Sequence, residues 1–201
     1  MKINIKRTIS LALVLLFAIS FGTVISAADV PVASDRITVS GDSVHFFDND
    51  SQKSVSKSIG DKDITVLIDK ENDLCICFFD QENAYRTYTL GKQTLLEVSG
   101  TFNSLTILDS GSNSSPLLNV RMASDCTVDT VTASSSGKAE VWGAVTTLNV
   151  MSEKQAVSIL GQVKTLNVSS AKEIAIEKNA EVEARNVMDA SAKITTFALI
   201  V

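Results

Sequence analysis

The chain is predicted to be all-β, a parallel β-solenoid of about five short rungs over residues 99–201 behind an N-terminal β cap or small β unit over 29–98. Three observations carry this. A short motif recurs in the C-terminal half as Val145-Thr146-Thr147-Leu148-Asn149-Val150, Val163-Lys164-Thr165-Leu166-Asn167-Val168 and, degraded, Val182-Glu183-Ala184-Arg185-Asn186-Val187, at starts 18 and then 19 residues apart. Alternating apolar pairs fall between the copies: Ala139 and Val141, Val157 and Ile159, Ile174 and Ile176. No stretch of this half sustains the i, i+3, i+4, i+7 apolar stripe of a helix, whereas period-two alternation is the mark of a strand.

Residues 1–28 read as a secretory signal peptide, with Lys2, Lys6 and Arg7 ahead of a mostly apolar run from Ile9 to Ile25 and the small residues Ser26-Ala27-Ala28 at the cleavage site. The expected location is therefore secreted or cell surface. The alternative is a membrane anchor formed by the same segment left uncleaved, since an apolar run of this length is at the short end of what spans a bilayer. Within 29–98 the expected strands are Arg36 to Ser40, Ser43 to Phe47, Ile64 to Ile68, Leu74 to Phe79, Tyr85 to Leu90 and Thr94 to Val98. The polar run Asp69-Lys70-Glu71-Asn72-Asp73 is placed to close a hairpin between two of them, and Asp48 to Ser58, rich in Asp, Ser and Lys, reads as a mobile loop. This region does not join the repeat cleanly, and its expected role is to cover the first rung, because a bare end exposes apolar surface and unpaired strand edges.

From residue 99 onward the repeat has fainter copies at Phe102-Asn103-Ser104-Leu105-Thr106-Ile107 and Val128-Asp129-Thr130-Val131-Thr132-Ala133. A unit of 17 to 19 residues made only of short strands suits one circuit of a narrow prism. Stacking then sets Leu148 over Leu166, Val150 over Val168 and Ile159 over Ile176, which buries apolar residues that one rung cannot bury alone. A β-sandwich would use hairpins with tight Asn-Gly or Asp-Gly turns, and none occurs after residue 100. The Val-x-Thr-Leu-Asn-Val units with intervening Ile-x-Ile pairs resemble those of bacterial exported β-helix repeat proteins and, more distantly, bactofilins. The resemblance spans about residues 100–201, implies the stacked-strand fold and brings no functional residues with it. Bactofilins are cytoplasmic or attached to the inner membrane face, and the export signal departs from that pattern.

Composition narrows the function. The 201 residues include 18 basic and 23 acidic side chains, a net charge of −5. Loss of 1–28 removes three basic residues and no acidic ones, taking the charge to −8. Such a surface repels phosphate backbones, so nucleic acid is not an expected partner. Cys75, Cys77 and Cys126 are odd in number for an exported chain and read as buried thiols acting as small apolar residues, although a bond from Cys126 to one of the others is geometrically open. Asp69-x-Glu71-x-Asp73 lacks the glycine and distal glutamate of a calcium loop. The single His45 has no ligand or nucleophile partner at a recognisable spacing, so no metal, cofactor or catalytic residue is expected.

The candidate binding residues are Thr130 and Thr132, Thr147 and Asn149, and Thr165 and Asn167, which recur at rung spacing and would form two polar columns on one face. They satisfy one another as hydrogen-bonding stacks or, alternatively, offer a flat face to a glycan. Trp142 is the remaining candidate, a sugar-stacking platform if exposed and a rung filler if buried. The expected role is structural or adhesive at the bacterial cell envelope, without catalysis; the rival is a secreted carbohydrate-binding module. Partners would be a glycan or another protein, with end-to-end self-association through the apolar C-terminal rung Thr196-Phe197-Ala198-Leu199-Ile200-Val201.

Overall fold

The computed structural model describes residues 35–48, 53–58, 62–72, 74–79, 84–89, 94–110 and 118–197. The proposed signal segment 1–28 and most of the apolar C-terminal run, residues 198–201, lie outside them. Among the described residues the chain is all-β. The strands are β1 (Asp35–Ser40), β2 (Ser43–Asp48), β3 (Lys53–Ser58), β4 (Asp63–Asp69), β5 (Leu74–Phe78), β6 (Ala84–Thr89), β7 (Thr94–Ser110), β8 (Leu118–Met122), β9 (Thr127–Ser134), β10 (Lys138–Val141), β11 (Ala144–Ile159), β12 (Gln162–Ile176), β13 (Glu181–Val187) and β14 (Ile194–Thr196). No helix of the described chain is long and apolar enough to cross a membrane.

Hydrogen bonding gathers the strands into two strips of parallel pairs. In the first strip β1 pairs with the start of β7, which pairs with β8, then β10, then the end of β11, the end of β12 and β14. In the second, β4 pairs with the end of β7, which pairs with β9, then the start of β11, the start of β12 and β13. The long strands β7, β11 and β12 thus lend one half to each strip. The repeat seen in the sequence sets the pairing. Leu148 lies opposite Val131 and Leu166, and Leu166 opposite Arg185, so partners on successive strands of a strip, here termed tiers, are 17, 18 and 19 residues apart.

Alternation along each strand sorts residues into buried and outer columns. Ile64, Leu105, Val131, Leu148 and Leu166 form one fully buried column of the second strip, and Leu96, Val120, Ala139, Val157 and Ile174 one of the first. Each fully buried Leu, Ile or Val contributes about 1.5–3 kcal/mol of transfer free energy, and the matching of apolar residues along a column is what removes them from water.

Residues before 99 take part in the same arrangement. β1 and β4 join the strips in parallel, while two antiparallel hairpin extensions, β1–β2–β3 and β4–β5–β6, continue the sheet beyond them. The expected hairpin between Ile64 to Ile68 and Leu74 to Phe79 is present as β4–β5. Its turn is closed by Asp69, whose carboxylate accepts the backbone N–H of Glu71 and Asn72 at 3.1 and 3.2 Å and the Asn72 amide at 2.8 Å. Asp48 to Ser58 is a correction: Lys53–Ser58 is β3, paired along its whole length with β2, with only residues 49–52 outside the description. A polar sequence disguised a strand there because backbone pairing with β2 is what defines it.

Candidate functional site

The predicted polar columns exist. On the outer side of the second strip Thr130, Thr147 and Thr165 are in register, as are Thr132, Asn149 and Asn167. Both columns end at Ala184 and Asn186, as the repeat spacing predicts, and begin earlier than the repeat shows, at Asp63–Ser104 and Thr65–Thr106. The side chains of Thr130, Thr132, Thr147, Asn149, Thr165 and Asn167 are half-buried, and the amides of the asparagine column are bonded to one another. Nδ2 of Asn167 donates to Oδ1 of Asn149 at 2.9 Å, Nδ2 of Asn186 donates to Oδ1 of Asn167 at 2.9 Å, and the Ser104 hydroxyl donates to Asp63 at 2.6 Å. A carboxamide that gives one N–H downward and accepts one from above makes a ladder, and this ladder ties three tiers together.

The first strip carries an outer column that the sequence reading missed. Arg36, Glu97, Arg121 and Glu140 are consecutive partners in register, with alternating charge. Arg36 Nε lies 3.0 Å from Glu97, Arg121 reaches Glu97 at 3.8 Å and Glu140 at 2.9 Å, and Lys138 reaches Glu140 at 3.0 Å. Arg121 is buried, 5% exposed. Burial pushes the Glu140 carboxyl up, but the hydrogen bonds and charges of Lys138 and Arg121 outweigh it and hold the group below its ordinary range. The column was illegible because Arg36 and Glu97 are 61 residues apart; only the register makes them neighbours.

A second buried ion pair, Lys70 to Asp109 at 2.6 Å, joins the β4–β5 turn to the end of β7. Asp109 also accepts the Ser136 backbone N–H at 2.8 Å. Desolvation raises its pKa, and the hydrogen bonds from Lys70 and Ser136 with the Lys70 charge lower it further than that. Beside it, the fully buried Gln155 accepts the Ser135 backbone N–H and hydroxyl and donates to the Gly137 and Ala156 carbonyls, all at 2.9 Å. These contacts fasten the bends between the strips.

Trp142 stands at the opposite bend, where the first strip hands over to the second. Four successive bends meet there, spanning 123–126, 142–143, 160–161 and 177–180. The outer two are four-residue turns closed by Cys126 N–H to Ala123 O and Ala180 N–H to Glu177 O, at 2.9 and 3.0 Å. The inner two hold only Trp142-Gly143 and Leu160-Gly161, and their tightness depends on glycine. A Cβ on Gly143 would sit 2.2 Å from the Cys126 carbonyl oxygen, and one on Gly161 2.1 Å from that of Gly143. Two long turns flanking two short ones leave an open trough of about 510 Å³, bordered by Ser124 and Asp125 on one side and Asn179 on the other, with Trp142, Gly143 and Gly161 between.

No known protein family, curated protein or solved structure matches the chain.

Trp142 is half-buried rather than enclosed. The Arg121 guanidinium lies 5.0 Å from the centre of its ring, and the indole N–H donates to Glu140 at 3.2 Å. The ion-pair column and the tryptophan are thus one connected group, and the bend gave no sequence signal beyond the glycine after Trp142. Cys75, Cys77 and Cys126 are buried and none is joined in a disulfide. Burial, with a contribution from Asp125, pushes the Cys126 thiol up to about 12, so it is no nucleophile at neutral pH. Among the described residues no three His, Cys, Asp or Glu side chains gather as metal ligands, and His45 sits opposite Thr38 as an ordinary member of β2.

Proposed function

We propose that the strands of the two strips wind as a parallel β-solenoid, each tier contributing one strand to either strip, and that the protein is an exported structural or adhesive element of the bacterial cell envelope without catalytic activity. The observation that carries the reading is the vertical identity of Leu148 with Leu166 and of Asn149 with Asn167. A chain that returns over itself at a constant interval makes a stiff rod whose surface pattern repeats.

The two ends of the rod differ. Hairpins extend the first tier, whereas β13 carries Glu181, Glu183 and Arg185 along its free edge. Charges on an edge oppose strand addition, so the proposed unit is a discrete rod in preference to an end-to-end polymer. Fractionation of the producing cell tests the reading: a mature chain beginning near Asp29 in the envelope or medium is expected, and an intact N-terminus confined to the cytosol overturns it. Loss of the protein is expected to weaken envelope integrity or surface attachment; a deletion strain unchanged in both removes the structural role.

A further inference from the structure

We propose that the trough at Trp142 is a binding site for a neutral oligosaccharide. This goes beyond the structural role and does not rest on it, since it uses only the local geometry of four successive bends.

Three features select the ligand. The first is orientation: Arg121 and Glu140 hold the indole from one side and satisfy its N–H, so what Trp142 adds to the trough is carbon surface fixed in direction. A pyranose ring matches that, having one face of C–H groups that stacks on an aromatic ring and a rim of hydroxyls that does not. The second is the border. Ser124, Thr127, Gln162 and Asn179 supply hydroxyl and amide groups and Asp125 a carboxylate, spaced around the tryptophan as donors and acceptors for sugar hydroxyls. No Lys or Arg lines the trough, which removes the counter-charge that a phosphate or an acidic sugar would require. The third is size. A volume of about 510 Å³ falls within the range of small-ligand sites, about 300–1,000 Å³.

The walls explain why a chain of sugars fits better than a single one. Tiers are about 4.8 Å apart, so the turns at 123–126 and 177–180, three tiers apart, stand about 14 Å from one another. The floor between them is two tiers of short bend, which leaves the trough open along the strand direction. The glycines are what keep that floor low, since Gly143 and Gly161 are in contact with the tier beneath at distances that exclude any side chain. The site differs from the Thr and Asn columns of the second strip, whose amides are already bonded to one another.

Trp142 is the only tryptophan of the chain, so its fluorescence reports this site and no other. The full mature protein is titrated with hexasaccharides of glucose, of mannose and of N-acetylglucosamine at millimolar concentration, followed by fluorescence and by calorimetry. Saturable quenching or a spectral shift with at least one of the three is expected, with affinity falling about tenfold or more in Asn179→Ala and Asp125→Ala and in Trp142→Ala read by calorimetry; about tenfold corresponds to about 1.4 kcal/mol. Asn179 and Asp125 are exposed turn residues, so their variants keep the fold and carry the test even if Trp142→Ala does not. No saturation with any of the three sugars overturns the proposal, and so does binding that survives all three substitutions, which would place the sugar elsewhere.

Discussion

Arg185 occupies, on the last tier of the second strip, the column position that Leu166 and Leu148 fill on the two tiers before it. Leu148 and Leu166 are fully buried, and Arg185 is exposed. An inward-directed charge on an edge strand is a known means of discouraging further pairing. With Val187 and Met188 already 45% and 72% exposed nearby, the guanidinium is what separates this edge from a continuous apolar one. Arg185→Leu is therefore expected to convert a monomer into a concentration-dependent oligomer by sedimentation velocity, with the unaltered chain remaining monomeric at the same concentration. Equal behaviour of the two proteins would remove the edge-protection argument.

The asparagine ladder gives a graded expectation. Asn167 donates to Asn149 and accepts from Asn186, whereas Asn186 takes part in only one of these bonds and is exposed. Neutral hydrogen bonds contribute about 0.5–1.5 kcal/mol each, and less when solvent competes. Urea denaturation should show Asn167→Ala losing about 1–2 kcal/mol and Asn186→Ala clearly less. If the two cost the same, the ladder is not what holds the tiers.

Acid should loosen the ion-paired columns. Glu140 and Asp109 have folded-state pKa values below their ordinary values of 4.5 and 3.8. Such groups stabilise the fold above the unfolded-state pKa, and that contribution is lost as the pH falls through the lower folded value. The melting temperature should thus be flat from neutrality to about pH 5 and then fall. The acid-dependent part should shrink in Glu140→Gln and Asp109→Asn, although both variants start lower at neutral pH, because Asp109→Asn leaves the buried Lys70 without its counter-charge and Glu140→Gln leaves the buried Arg121 with the longer 3.8 Å contact to Glu97. A variant with an undiminished acid slope would show that its carboxylate is not a source of the effect.

Gly161 and Gly41 separate contact from backbone strain. A Cβ on Gly161 meets the Gly143 and Trp142 carbonyl oxygens at 2.1 and 2.4 Å, while one on Gly41 meets nothing within 4 Å and suffers only from a φ of +58°. Gly161→Ala is expected to cost about 3 kcal/mol, the upper end of overpacking penalties, and Gly41→Ala about 1–2 kcal/mol, the left-handed backbone term alone. Thermal or urea unfolding of both variants decides it, and a milder effect at Gly161 than at Gly41 would contradict the close stacking of the bends.

The thiols should be silent while the protein is folded. Cys75, Cys77 and Cys126 are at most 1% exposed, so an aromatic disulfide reagent is expected to label none of them in the native state and all three after unfolding. Rapid native labelling of Cys126 would contradict both its burial and its raised pKa.

Much of the strand pattern was legible. Each strand expected between Arg36 and Val98 lies within, or within a residue of, an observed one, because alternation of apolar and polar residues is a local property that survives whatever the strand pairs with. The Thr and Asn columns were legible for the same reason, since their spacing is written in the repeat. The Arg36–Glu97–Arg121–Glu140 column was not. Two hairpin insertions, one after β1 and one after β4, break the period in the first half, so charges that are hydrogen-bonding neighbours are scattered among unrelated positions. Gln155 and Lys70 were equally hidden, because a buried polar residue looks like a surface one until its partners are known.

From its sequence alone this protein has the all-β character, the register of Leu148 with Leu166, and the acidic balance of its charged side chains. These depend on short-range periodicity and on summed charge, which need no fold to be read. Only the tertiary structure decided which residues face the same space: the alternating ion pairs of the first strip, the charge closing the last tier, and the trough in which Trp142 lies between two long turns. Each of these depends on how far the chain travels before it returns, and turn lengths at distant points set that distance jointly.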